Sequence, residues 1–105
     1  MTGCETAFVN DLAGKKVVLL APANNFVTLD SVHTFYWEKI NGADRYRLRI
    51  VAPSFDSITR LIGDTIIFSD RFTIEMDKGS YQWRVRAINS ASVSDESDTW
   101  NLKIQ

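Results

Sequence analysis

Arginine recurs on alternate positions twice in this chain, as Arg45-x-Arg47-x-Arg49 and as Arg84-x-Arg86. A guanidinium presents a planar fork of donors that matches a carboxylate or a phosphate. A spacing of two places such side chains on one side of an extended backbone, so the pattern suits recognition of an anion. Nothing comparable is present for covalent chemistry. No G-x-S-x-G turn occurs, and the single imidazole, His33, falls on the apolar side of its segment, whereas a nucleophile, base and acid need that imidazole accessible. One Cys and one His cannot supply the three or four protein ligands of a zinc site. The glycines, at 3, 14, 42, 63 and 79, are isolated, which leaves no glycine-rich loop to cradle a phosphate. Asp95, Glu96 and Asp98 gather before the last apolar segment, but calcium takes about six to eight oxygens, and without the spacing of a calcium loop these acids read as a solvated polar loop. The expectation is a chain that is not an enzyme and uses neither metal nor cofactor.

The segments that must position the arginines alternate with period two. Residues 45–51 put Tyr46, Leu48 and Ile50 on one side and the three arginines on the other, and residues 81–87 do the same with Tyr81, Trp83, Val85 and Ala87 against Gln82, Arg84 and Arg86. Asn41-Gly42-Ala43-Asp44 and Asp77-Lys78-Gly79 supply turn chemistry ahead of them. A β-branched and aliphatic run from Lys16 stops at Pro22, and residues 33–38 place His33, Phe35 and Trp37 together. Residues 72–76 alternate again, and residues 98–104 carry Trp100, Leu102 and Ile104 on one side. Between 52 and 70 the apolar residues fit no single period, which reads as a short edge strand inside a long connection. About seven short antiparallel strands, with turns between them and no helical period, describe an all-β sandwich. Residues 1–15 show no sustained period and read as an N-terminal tether to a single domain at 16–105.

With 105 residues, 45% hydrophobic and 24% charged, the chain is long enough for one core and too apolar for disorder. A net charge of -1 gives no global attraction to nucleic acid. A lone Cys makes no internal disulfide, and the longest apolar run, residues 17–21, is far shorter than the roughly 20 residues that span a bilayer.

Trp37, Gly42-Ala43, Tyr46-x-Leu48-x-Ile50 and Met76-x-x-Gly79-x-Tyr81-x-Trp83-x-Val85-x-Ala87-x-Asn89 together resemble a fibronectin type III domain over residues 16–104. That resemblance implies an immunoglobulin-like sandwich, and it implies that Tyr81 forms a tyrosine corner by bonding the backbone a few residues upstream. A fold of this kind is silent on activity. Thr2-Gly3-Cys4 resembles the end of a bacterial lipobox, with Met1 where that pattern usually has Leu. The opening from Lys16 is similar to fibronectin-like modules of Gram-negative surface lipoproteins. What these likenesses imply is a precursor with a signal peptide ending at Gly3, and a mature chain lipidated on Cys4. Such a protein sits outside the cytoplasm, at the outer membrane or cell surface, and touches the membrane only through the lipid.

In such a sandwich 45–51 and 81–87 are neighbours, so Arg45, Arg47, Arg49, Arg84 and Arg86 share one outward face, which Lys103 extends from the last strand. No acid stands on the outward positions of these three strands, although Asp56, Asp64 or Asp70 could reach over from the 52–70 segment. Like charges opposite one another across strands are destabilising, which points to an external anionic partner. The plainer reading is that the arginine stems cover the sheet and leave their heads in water. The expected function is a non-catalytic binding or spacer module presenting a sandwich face to a protein partner. A carbohydrate-binding module is the alternative, with Tyr36, Phe55 and Phe68 as the rings that could be exposed. Nucleic acid is not expected as a partner.

Overall fold

Alternation is converted into strands wherever it is clean. The computed structural model describes residues 11–105 and contains β1 (Leu19–Ala21), β2 (Phe26–Thr28), β3 (Val32–Trp37), β4 (Arg45–Pro53), β5 (Ile58–Ile67), β6 (Arg71–Glu75), β7 (Gly79–Ile88) and β8 (Trp100–Ile104). They form two sheets, β1-β3-β6 and β2-β8-β7-β4-β5, packed as an all-β, immunoglobulin-like sandwich. The inward side chains are those that the period assigns. Phe35 and Trp37 come from the smaller sheet, and Leu48, Ile50, Trp83, Val85 and Leu102 from the larger, all buried to about 1% exposure or less. Phe35 meets Trp83 edge to face at 4.9 Å between ring centres, and Trp83 meets Trp100 at 6.0 Å. Such T-shaped pairs add to the area that each ring buries.

His33 is buried, and its Nε2 donates to the carbonyl of Asp30 at 2.8 Å. A satisfied core histidine of this kind is held by packing and one backbone bond. The Tyr81 hydroxyl donates to the carbonyl of Asp77, four residues upstream, at 2.5 Å, the bond that the resemblance implies for a tyrosine corner.

Three features differ from the sequence expectation. There are eight strands, and they are not all antiparallel, because β2 runs parallel to β8 with Phe26 opposite Leu102. A strand of three residues carries too little alternation to be seen. The segment expected to hold a short edge strand is instead a ten-residue strand, β5, on the edge of the larger sheet. Its pairing with β4 runs from Tyr46–Ile67 to Ile50–Gly63 and then resumes at Val51–Leu61, so Ile62 is a bulge. One inserted residue reverses the parity downstream, and this is why Ile58, Leu61, Ile62, Ile66 and Ile67 fit no single period. Lastly, packed structure is present ahead of Lys16. Leu12 is fully buried in the core, its N–H donates to Ser92 Oγ at 2.9 Å, and the Lys15 carbonyl accepts from Asp95 N–H at 2.8 Å.

Candidate functional site

The outward face of the larger sheet is built by the register of β4 on β7. Arg47 stands opposite Arg86 and Arg49 opposite Arg84, so two rungs carry like charges face to face. Two carboxylates from outside these strands hold them together. Asp64, on the outward side of β5, accepts Arg47 Nε at 2.8 Å and Nη2 at 2.7 Å, a bidentate pair. That bond holds the Asp64 carboxyl below its ordinary range and raises Arg47. Arg45, at the end of the row, pairs with its neighbour Asp44 at 2.6 Å.

The second carboxylate is Glu96, and its position follows from two serines. Because β8 begins only at Trp100, the end of β7 near Ala87 is paired with β4 on one side and has no strand on the other. Residues 93–97 run along it instead. Ser94 N–H donates to the Ala87 carbonyl, and Ala87 N–H donates back to Ser94 Oγ at 2.8 Å. Ser97 repeats the exchange with Val85, its Oγ accepting at 2.9 Å. Each buried hydroxyl thus takes the place of a missing strand carbonyl, without which an N–H would be left unpaired at a cost of about 1–3 kcal/mol. Between these two anchors Glu96 is turned over the arginines.

One carboxylate there serves three guanidinium groups. Arg49 Nη2 lies 2.9 Å from Glu96 Oε1, Arg86 Nε 3.5 Å from the same oxygen, and Arg84 Nε 3.8 Å from Oε2. Only the first is a close ion pair, and none of the three is a well-aligned hydrogen bond. Arg84 Nε and Arg86 Nε are buried without a hydrogen-bond partner. Phe55 covers the next stretch of the face, its N–H donating to Gln82 Oε1 at 2.9 Å and its ring centre 3.6 Å from the Arg84 guanidinium carbon and 5.5 Å from that of Arg49. Such stacking is favourable and leaves the guanidinium edge as the free recognition surface. Burial lowers the pKa of Arg84, with Arg49 and Arg86 adding to that shift and Glu96 and Asp56 opposing it. The ion pairs set five arginines against three carboxylates, those of Asp44, Asp64 and Glu96.

All five arginines expected on this face lie on it. Lys103 shares the face but stands opposite Ser80, four residues along β7 from Arg84, or about 13 Å at the usual rise of a strand. There it borders a cleft of ≈ 270 Å³ with Phe26, Pro53 and Asn101, and it makes no ion pair among the described residues. Asp64 does reach over, whereas Asp70 pairs with Arg71 at 3.3 Å. Glu96 does not sit in a solvated acidic loop as its sequence neighbours imply: its side chain is only 19% exposed, and it turns away from Asp98, which pairs with Lys16. The three rings considered for sugar stacking are dispersed. Tyr36 lies on the outer side of the smaller sheet under Arg71, Phe55 is on the larger sheet, and Phe68, 78% exposed, is in the β5–β6 turn. Cys4 lies outside the described residues.

No protein-family model matches the chain, and no curated protein matches it. Solved structures do. The fibronectin type-III domain of human fibronectin type III domain containing protein 3 aligns with a TM-score of 0.59 at 15% identity, covering 90% of this chain and 89% of that one. An Fn3-like protein from Clostridium thermocellum aligns at 0.54 and 19% identity, covering 89% and 90%. A β-1,2-glucanase from Parabacteroides distasonis aligns at 0.57 and 20% identity, and the match covers 84% of this chain but 12% of the enzyme. At such identities these likenesses establish the fold alone, a fibronectin type III sandwich.

Proposed function

We propose that this fibronectin type III sandwich is a non-catalytic binding module that presents the arginine face of its larger sheet to an acidic segment of a protein partner. The observation that carries the reading is the convergence of Arg49, Arg84 and Arg86 on the single carboxylate of Glu96. Two rungs of opposed like charge are costly in a sheet unless something outside it compensates them, and the fold supplies only part of that compensation. Arginine heads held in place by Phe55, Asp64 and Glu96 have little freedom left to lose when a carboxylate binds.

The test is titration of a fluorescent hexaglutamate peptide. The wild-type chain is expected to bind it, more weakly as salt rises, because the Debye length is only about 10 Å at 0.1 M. The double variant Arg47→Glu/Arg84→Glu is expected to remain folded at the assay temperature and lose at least about tenfold in affinity, the loss of one charge-assisted hydrogen bond or more. Undiminished binding by that variant, or heat released only with neutral oligosaccharides, overturns the reading.

The module is further proposed to belong to an exported protein held at the outer membrane or cell surface by lipid on Cys4, which rests on the Thr2-Gly3-Cys4 sequence. Two or more acyl chains, at about 0.8 kcal/mol per buried methylene, are enough for stable anchoring. Mass spectrometry of the protein extracted from its native membrane is expected to find an acylated N-terminal Cys4. A plain thiol at that position removes the anchor.

A further inference from the structure

We infer that Glu96 is a built-in competitor, occupying the place that a glutamate side chain of the partner takes when it binds. The inference rests on the arginine-face reading and gives it a site and a regulator. Glu96 reaches the arginines from a loop, held by Ser94 and Ser97 on either side, so its side chain can leave without disturbing a strand ladder. It pairs closely with Arg49 at 2.9 Å but stands 3.5 and 3.8 Å from the Nε atoms of Arg86 and Arg84. Both of those atoms are buried and lack a hydrogen-bond partner. One carboxylate has two oxygens, and three guanidinium edges converge on it. Once Glu96 swings out, a partner carboxylate in its place can close on the Nε atoms of Arg84 and Arg86 that Glu96 leaves unbonded. Phe55 blocks a flat face of the Arg84 guanidinium, so the incoming group must use the edge. The edge geometry is that of a carboxylate pair, and the shape of the site therefore fits an acidic side chain.

The experiment compares hexaglutamate binding to the full chain in three variants. Glu96→Gln keeps the shape of the side chain and removes its charge, and it is expected to bind about twentyfold more tightly than wild type, the range of a charge-assisted hydrogen bond released to the peptide. Asp98→Asn, two residues away and paired with Lys16 instead, changes the net charge equally and is expected to change affinity less than about threefold. Arg84→Glu placed in the Glu96→Gln chain is expected to abolish the gain. On the wild-type protein, independent of any variant's folding, NMR of the arginine Nε–Hε groups is expected to show the Arg84 and Arg86 signals moving furthest on titration. A Glu96→Gln chain that folds and binds no more tightly than wild type overturns the inference, as does an equal gain in Asp98→Asn or a peptide that leaves both Nε–Hε signals in place. Where the Arg47→Glu/Arg84→Glu chain loses binding and Glu96→Gln gains none, the arginine face stands and only the competitor falls. Absence of binding by wild type and Glu96→Gln alike removes both.

Discussion

Replacing Trp83 with alanine is expected to remove about 3–5 kcal/mol of stability, the usual cost of truncating a fully buried large aromatic. A domain of this size has roughly 5–15 kcal/mol in total, so the variant should be largely or wholly unfolded in modest denaturant. The position explains the size of the effect. Trp83 lies at the middle of β7, has no exposed surface, and is contacted edge-on by Phe35 from the opposite sheet and by Trp100 from β8. No single neighbour can fill the space that it vacates, because each is fixed by its own strand. Trp83→Phe is expected to cost much less, since it keeps a ring between the sheets and removes an indole N–H that has no hydrogen-bond partner. Urea unfolding followed by far-UV circular dichroism checks both, and a midpoint for the alanine variant close to wild type would show that the sheets close over the gap.

Leu12→Ala is expected to cost about 2–5 kcal/mol, although the residue precedes the first strand and lies in a stretch with no periodicity. Leu12 has no exposed surface, and the chain around it is tied down on both sides. Its N–H is bonded to Ser92, Lys15 is bonded to Asp95, and Lys16 bridges to the backbone of Asp95 and to the carboxylate of Asp98 at 2.5 Å. The surface ion pair adds little by itself. The loss comes from the apolar side chain, which is a fully buried member of the core. Thermal unfolding of Leu12→Ala and of a surface control, Lys15→Ala, separates the two: a shift confined to Leu12 is expected, and equal, small shifts would show that the segment contributes nothing to the core.

Much of the fold is legible from the sequence because period two has a single physical meaning. A strand half buried in a sandwich must alternate, so Tyr46, Leu48 and Ile50, or Trp83, Val85 and Ala87, announce both the strand and the side that it buries. Where a strand is bulged the message is scrambled, as in β5, and where it is three residues long and buries no side chain fully there is no message, as in β2. Leu12 escaped for a related reason: a single apolar residue in an aperiodic stretch looks the same whether it is buried or exposed.

The arginine face shows the same division more sharply. That Arg47, Arg49, Arg84 and Arg86 share a side of the backbone is a local property, settled by spacing alone, and so is the absence of an acid on their own strands. Which carboxylates meet them is a matter of register and of loop course. Asp64 reaches Arg47 because the unbroken register of β5 on β4 sets it opposite Arg49 on the outward side, and Glu96 arrives from a loop steered by two serine hydroxyls standing in for strand carbonyls. Those are contacts between residues some 10 to 47 positions apart, set by how sheets and loops close on one another. Alternation along the chain therefore determined the sandwich and the side on which its charge lies, while only the packed tertiary structure decided which carboxylates meet that charge and which guanidinium groups must share one.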